Sequence, residues 1–143
     1  MAYSTYSDIQ SEFRDLELSS STKITQAEVT EFISQADQYI DSKLSKKYIT
    51  PITAINSLPI VKQISIWLTA GRVWNILNEV TEGVKDRGKS LIDKAEKMLK
   101  DILSNENDEI ILSGSSIVST SLIDASNYNN GITPLFDKDI EQW

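Results

Sequence analysis

The most apolar stretch of the chain runs from Leu58 to Val80, and its polar residues form only a narrow stripe. A helix that is apolar on nearly all sides belongs at the centre of a bundle or at an interface. Ser57 can cap its first turn, and Pro59 suits a position whose amide has no helical partner. Charged residues interrupt the stretch, so we do not expect it to span a membrane. We predict a core helix over 58–80, with a polar stripe of Lys62, Ser65, Thr69, Arg72 and Glu79.

Apolar residues spaced by three and four predict a second helix, from about Gln26 to Lys47. Thr25 and Glu28 have the spacing of a capping box at its start. Acidic residues lie in its first turns and lysines in its last, as the helix dipole favours. Pro51 ends the helical pattern, because proline lacks the amide donor that a helix needs and disfavours helical geometry at Thr50. The predicted apolar face consists of Val29, Phe32, Ile33, Ala36, Ile40, Leu44 and Tyr48.

Two further helices are predicted, one on each side of this pair. Ser7 and Gln10 have capping-box spacing, which predicts a short helix from about Ser7 to Arg14. An amphipathic pattern predicts a last helix from about Lys89 to Leu103, after a charged connection that ends at Gly88.

Helical periodicity ends at Ser104, where serine and asparagine become frequent. Two β-prone runs, 109–112 and 117–120, predict a hairpin, which would be marginally stable as an isolated ribbon. Large apolar residues return at the end of the sequence, where they need a partner to leave water. We interpret this end as a docking peptide for another subunit or protein, with folding back on its own bundle as the alternative. The docking residues are Pro134, Leu135, Phe136, Ile140 and Trp143.

These patterns predict a mainly α-helical fold, in which residues 1–104 form a small bundle of three long helices and a short N-terminal helix. Residues 105–143 form an extended C-terminal arm, in which the β-hairpin is one option. Two long neighbours offer too little surface to cover the central helix, so we expect a neighbouring subunit to complete its burial. Trp67 and Trp74 share a face of that helix. Packing in the core is favoured over an exposed binding stripe, and the two interpretations merge in an oligomer.

The 143 residues and their 40% apolar content suit one ordinary domain. The chain has no cysteine and no histidine, which excludes disulfides, thiol nucleophiles, Cys/His zinc sites and an imidazole base. The N-terminus lacks the basic and apolar regions of a signal peptide, so we expect a cytoplasmic origin. The net charge is −7, and residues 104–143 hold seven acidic residues against Lys138. Such a segment repels nucleic acid and favours basic protein surfaces, or is simply solvated.

Asp37 and Asp41 are one helical turn apart and could form an acid–base pair or hold a cation. No third ligand is near them in sequence, so a solvated helix face is the favoured interpretation. Lys43, Lys46 and Lys47 could contact phosphate but are better explained as charges that complete a helix C-terminus. The sequence contains no phosphate loop, nucleophile elbow or dinucleotide fingerprint. We therefore predict no enzymatic activity, no cofactor and no metal site.

Two local patterns and the order of the elements resemble a known family. The N-terminal pattern is Tyr6-x-Asp8-Ile9-x-x-x-Phe13, and an apolar helix starts later, near Pro59. Between them, the second helix and its exit carry Ala36, Ile40, Asp41, Leu44, Tyr48 and Pro51. Over residues 3–105 this arrangement is similar to the small head-to-tail adaptor proteins of tailed bacteriophages, including the Mu-like head completion proteins.

The resemblance implies a mainly α-helical subunit of a ring, usually dodecameric, beneath the portal vertex of the capsid. Such a ring extends the DNA channel, which DNA passes without specific binding, and it offers a surface to a tail or stopper protein. The implied location is the head–tail interface of the virion, after synthesis in the host cytoplasm and with no membrane partner. Family members commonly end in an arm that reaches the portal or a neighbouring subunit. Here acidic residues around Lys138 stand where basic ones are often found, so the receptor of the arm is left open.

A function of another class is a regulatory module that holds a peptide in a groove between its helices. That peptide could be the C-terminal segment of the same chain in a resting state. Such a protein would be a compact monomer at all working concentrations and, like the adaptor, would have no catalytic activity.

Overall fold

A computed structural model describes residues 1–14, 23–77 and 85–104, together with Leu112 and Gly114. These residues contain four helices: α1 Tyr6–Ser11, α2 Gln26–Leu44, α3 Leu58–Leu77 and α4 Lys85–Leu103. Helices α2, α3 and α4 pack against one another, and α1 lies against α2 and α3. The predicted mainly helical bundle is confirmed. The strands of the predicted hairpin lie outside the described residues, except for Leu112.

Helix α1 begins one residue earlier than predicted because Thr5, and not Ser7, caps it. The Asp8 backbone N–H donates to Thr5 Oγ1 at 3.3 Å, and the Thr5 N–H donates to the Asp8 carboxylate at 2.8 Å. The same carboxylate pairs with the Lys62 ammonium of α3 at 2.8 Å. The helix ends at Ser11, before the predicted end at Arg14.

The capping box predicted for α2 is confirmed. The Thr25 N–H donates to Glu28 Oε2 at 2.7 Å, and the Glu28 N–H donates to Thr25 Oγ1 at 3.2 Å. The helix ends at Leu44, three residues before the predicted end, with Ser45 as its cap. Its predicted apolar face is buried apart from the half-buried Phe32, and the buried members are Val29, Ile33, Ala36, Ile40, Leu44 and Tyr48.

Helix α3 is the centre of the bundle, as predicted, but its polar stripe is not a solvent-exposed face. Ser65 and Thr69 are fully buried, and only Lys62 of the described stripe residues is exposed. No large apolar side chain of α3 is exposed in the part of the chain that the structure describes. Helices α1, α2 and α4 cover most of α3, but Trp67, Trp74 and Leu77 remain half-buried. The expectation that a neighbouring subunit completes its burial therefore stays a prediction.

Helix α4 begins at Lys85, four residues before the predicted start at Lys89. Gly88 therefore lies inside the helix, whereas the prediction placed it before the helix. Gly88 packs against Gly71 of α3. A Cβ built on Gly71 would lie 2.8 Å from the Gly88 carbonyl oxygen, and one on Gly88 would lie 2.7 Å from the Gly71 carbonyl oxygen. These two glycines therefore allow the backbones of α3 and α4 to touch.

Two hydrophobic clusters lie at opposite ends of α3. The first joins its N-terminal half to the C-terminal halves of α2 and α4, and the second joins its C-terminal half to α1 and the start of α2. Leu112 belongs to the first cluster with 1% of its surface exposed, and its N–H donates to Tyr48 Oη at 3.4 Å. The chain therefore contacts the bundle again beyond the end of α4. No helix among the described residues is long and apolar enough to cross a membrane.

Candidate functional site

Asp37 of α2 is the centre of a buried hydrogen-bond network. It is 5% exposed, and it accepts hydrogen bonds from the Tyr3 backbone N–H at 3.0 Å and from Ser65 Oγ at 2.6 Å. Ser4 Oγ lies 2.8 Å from Ser65 Oγ and is the donor, because Ser65 gives its proton to Asp37. The predicted solvated helix face was therefore wrong for Asp37, whose partners come from the N-terminal segment and from α3.

Asp41 lies one turn further along α2 and is half-buried. It accepts a hydrogen bond from Tyr3 Oη, which in turn accepts one from the Ile52 N–H at 2.8 Å. Burial, together with the hydrogen bond to Asp41, raises the pKa of the Tyr3 hydroxyl, so this group stays a neutral donor. Tyr3 thus ties the N-terminal segment to α2 and to the loop that precedes α3.

Burial raises the pKa of the Asp37 carboxyl above its usual value, while the hydrogen bonds from Ser65 and Tyr3 act in the opposite direction. A groove of about 480 Å³ opens beside Asp37 and Asp41. In the described ranges no group of three or more acidic side chains comes together to hold a metal ion. Both carboxylates accept hydrogen bonds from fixed protein donors, so the arrangement is suited to fastening the N-terminal segment onto the bundle.

The loop between α2 and α3 presents apolar side chains to solvent. Ile49 is 57% exposed and Ile55 is 82% exposed. Tyr48, which precedes Ile49, and Ile52, which lies between the two in sequence, are buried in the first cluster. The Thr50–Pro51 peptide bond of this loop is cis. We call Ile49 and Ile55 the isoleucine pair. Neither residue was predicted as a site residue. Both fall outside the apolar spacing of the flanking helices, and this position was the signal that could have indicated exposed apolar surface.

The ends of α2 and α4 form a second groove, of about 530 Å³, which we call the lysine groove. Its lining residues are Lys43, Lys46, Glu96, Lys97, Leu99, Lys100 and Leu103. Glu96 accepts a hydrogen bond from Tyr39 Oη at 2.6 Å. Lys47, which lies three residues beyond the end of α2, donates to the Ile102 carbonyl oxygen at 3.2 Å, so its charge is at the C-terminus of α4 and not of α2.

The two predicted packing tryptophans serve different clusters. Trp67 is half-buried against the first cluster, and Trp74 is half-buried against the second. The Trp74 ring stacks on Phe13 with a centroid distance of 4.7 Å, and the Arg87 guanidinium lies 4.6 Å from its centroid. Both side chains take part in packing within the chain, and their role in subunit contacts stays a prediction.

The remaining predicted site residues divide into core residues and residues outside the structure. Ala36, Ile40, Leu44 and Tyr48 of the resemblance pattern are buried, whereas Pro51 is exposed. The predicted docking residues lie outside the described part of the chain: Pro134, Leu135, Phe136, Ile140 and Trp143.

A family model described as bacteriophage Mu, Gp36, matches residues 3–110. No curated protein and no solved structure matches the chain. The matched range includes all four helices and the network around Asp37.

Proposed function

This chain belongs to the bacteriophage Mu Gp36 family, and from that membership we propose that it is a non-enzymatic structural protein of the virion. In this proposal it is a head-to-tail adaptor whose copies form a dodecameric ring beneath the portal vertex. The ring extends the DNA channel and joins the portal to a tail or stopper protein. The family match over residues 3–110 is the observation that carries the proposal.

The chemistry of the chain supports a binding role. Histidine and cysteine are absent from the sequence, and Asp37 and Asp41 are engaged as hydrogen-bond acceptors for Tyr3 and Ser65. The net charge of −7 is also suited to a channel wall, because an acidic surface does not hold passing DNA.

The isoleucine pair supports a subunit contact. Ile49 and Ile55 expose apolar surface in the loop between α2 and α3, whereas Tyr48 and Ile52 of the same segment are buried. Transfer of apolar surface out of water contributes about 25 cal/mol per Å², so contact with a neighbouring copy would be favourable. We propose that the isoleucine pair packs against the adjacent subunit of the ring.

Electron microscopy of the protein mixed with portal-bearing capsids tests the adaptor function. We expect additional ring-shaped density at the portal vertex and none at the other vertices. Capsids that lack the portal serve as the control. Portal vertices that remain bare when the protein is in excess would contradict the proposal.

The double variant Ile49→Asp/Ile55→Asp tests the contact within the ring. We expect at least a tenfold loss of ring-bearing capsids, because two buried apolar contacts at an interface contribute on the order of 1–2 kcal/mol each. Thr53→Asp/Asn56→Asp, at two exposed positions of the same loop, is the matched control for the two added charges. Circular dichroism checks that the variants fold. Equal assembly of the double variant and the control would show that the pair lies outside the interface.

A second candidate function is the regulatory peptide-binding module, which the lysine groove favours. Its four lysines and the partly exposed Leu103 are suited to an acidic peptide with apolar side chains. Such a module would stay monomeric in the presence of capsids, so the same microscopy distinguishes the two functions.

A further inference from the structure

The lysine groove concentrates positive charge on an acidic protein. Four lysines line it: Lys43 from the last turn of α2, Lys46 from the turn that follows, and Lys97 and Lys100 from α4. The one acidic lining residue, Glu96, is engaged by the Tyr39 hydroxyl. Leu103 adds partly exposed apolar surface between the lysines. A ligand for this groove needs carboxylates for the ammonium groups and apolar side chains for the leucine surface.

The last ten residues of the same sequence have both features. Asp137, Asp139 and Glu141 lie there among large apolar residues, and Lys138 is the single basic residue. The apolar residues of this segment are Leu135, Phe136, Ile140 and Trp143. Charge and hydrophobicity of residues 134–143 therefore match those of the lysine groove.

The position of Leu112 places the start of the remaining chain near the groove. Its N–H donates to Tyr48 Oη at 3.4 Å, and the Lys47 ammonium lies 5.6 Å from the centroid of the Tyr48 ring. Lys47 also donates to the carbonyl of Ile102, the neighbour of the groove residue Leu103. Leu112 and the lysine groove thus share one end of the bundle.

The length of the chain after Gly114 permits binding to the same molecule. These residues could span on the order of 100 Å when extended, which exceeds the size of the bundle. A segment tethered in this way is present at an effective concentration on the order of 1 mM, so even weak contacts are occupied. Binding within one chain is therefore favoured over binding to a second copy at ordinary protein concentrations.

We propose that residues 134–143 bind in the lysine groove of their own chain while the subunit is free. The carboxylates of the segment pair with Lys46 and Lys100 on the rim, and its apolar side chains cover Leu103. This binding does not depend on the adaptor function. If the same segment docks on the portal, however, release from the groove precedes that docking.

Paramagnetic relaxation enhancement in the full-length protein tests the proposal. The chain has no cysteine, so Gln142→Cys provides a unique site for a nitroxide spin label. We expect several-fold loss of amide signal for residues 43–47 and 97–103, and little loss for α1 at the other end of the bundle. Reduction of the nitroxide should restore the signals. Uniformly weak broadening, or strongest broadening away from the groove, overturns the proposal.

Charge reversal tests whether the lysines hold the segment. Lys46→Glu/Lys100→Glu should abolish the broadening at the groove, whereas Lys89→Glu/Lys94→Glu should retain it. The control lysines are also exposed but do not line the lysine groove; they lie on an adjoining surface of α4 with Asp86 and Asp93, which shares Lys97 with the groove. Persistence of the broadening in the first variant overturns the proposed pairing.

A mixed sample identifies the molecule to which the segment binds. One kind of chain in this sample is ¹⁵N-labelled and carries no nitroxide. The other kind contains only ¹⁴N and carries the nitroxide at position 142. We expect little broadening in this sample, because the contact forms within one chain. Broadening as strong as in the sample in which every chain carries both labels overturns the proposal, because the segment would then bind to a second copy. None of these measurements requires capsids, so their outcome is separate from that of the adaptor function.

Discussion

Asp37 and Tyr3 connect three parts of the chain that are far apart in sequence. A buried carboxylate is costly to remove from water unless donors replace its hydration. Asp37 has two such donors, the Tyr3 N–H and Ser65 Oγ, one for each carboxylate oxygen. The network therefore stabilises one specific position of the N-terminal segment against α2 and α3.

Replacing Asp37 by asparagine should destabilise the protein. At about pH 5 we expect the free energy of unfolding to fall by about 1–3 kcal/mol, because an amide has one acceptor oxygen for two donors. Urea unfolding measures the change. Asp93→Asn, at an exposed position of α4, is the matched control and should have little effect. Similar losses for the two variants would contradict the role of the network.

The same pair of proteins, wild type and Asp37→Asn, gives a pH dependence with a defined sign. Burial raises the pKa of Asp37 in the folded state, and the charge of Asp41 acts in the same direction, while the N-terminal ammonium acts against it. Folding therefore favours the protonated carboxyl. Its contribution is complete below the unfolded pKa of about 3.9 and is lost as the pH rises through the higher folded pKa. The stability advantage of the wild type should decrease as the pH rises above about 4, and an increase would contradict the assignment.

At the scale of elements, the closest contact is the crossing of α3 and α4. Gly71 and Gly88 face each other there, and Asn75 also lies against Gly88. A glycine inside a helix costs about 1 kcal/mol relative to alanine. Two such glycines are explained by the backbone contact that they allow between the helices.

Gly71→Ala should destabilise the bundle although alanine is the better helix former. Its Cβ would lie 2.6 Å from Ile92 Cγ1 and 2.8 Å from the Gly88 carbonyl oxygen, and a backbone atom cannot be moved by a change of rotamer. We expect a net loss of about 1–3 kcal/mol in the free energy of unfolding, measured by urea denaturation. Ser90→Ala, on the exposed face of α4, is the control. A Gly71→Ala protein as stable as the wild type would show that the helices can separate at little cost.

At the scale of the whole molecule, Leu112 shows that the bundle includes residues beyond α4. Its side chain fills the first cluster together with Tyr48 and Ile102. The domain boundary predicted at residue 104 stays a prediction. Two truncations that differ only in residues 108–114 can test it.

Ending the chain after Asn107 should destabilise the bundle more than ending it after Gly114. The shorter protein loses the buried Leu112 side chain, and such a loss costs about 2–4 kcal/mol. The longer truncation retains it and should stay close to the full-length protein. Urea unfolding of both proteins measures the difference, and equal stability would show that Leu112 adds nothing to the core.

The C-terminal segment should contribute to attachment at the capsid. Phe136→Ala/Trp143→Ala should weaken binding to portal-bearing capsids by at least tenfold, because aromatic residues buried at an interface typically contribute a few kcal/mol. Co-sedimentation with the capsids measures the affinity. Tyr128→Ala, an aromatic residue outside the docking segment, is the control. Unchanged binding of the double variant would contradict docking through residues 134–143.

Local patterns were sufficient to predict the helices of this protein. The Thr25–Glu28 capping box and the spacing of Val29 to Tyr48 are properties of neighbouring residues, and both are confirmed. The predicted boundaries of α1 and α4 were less accurate. The Thr5–Asp8 cap of α1 is equally local and lies two residues before the predicted one, and Gly88 lies inside α4 although glycine usually disfavours a helix interior.

The candidate surfaces depended on tertiary structure. Asp37 and Ser65 look like solvent-exposed residues in a helical pattern, and only the docking of residues 3 and 4 makes them buried partners. The lysine groove joins residues 43 and 46 to residues 97 and 100, which no local spacing brings together. The sequence by itself determined where helices form and how the family is recognised, since both depend on short-range periodicity and residue order. Only the packing of α2, α3 and α4 decided which polar groups left water and which apolar ones remained exposed, because burial depends on partners distant in the chain.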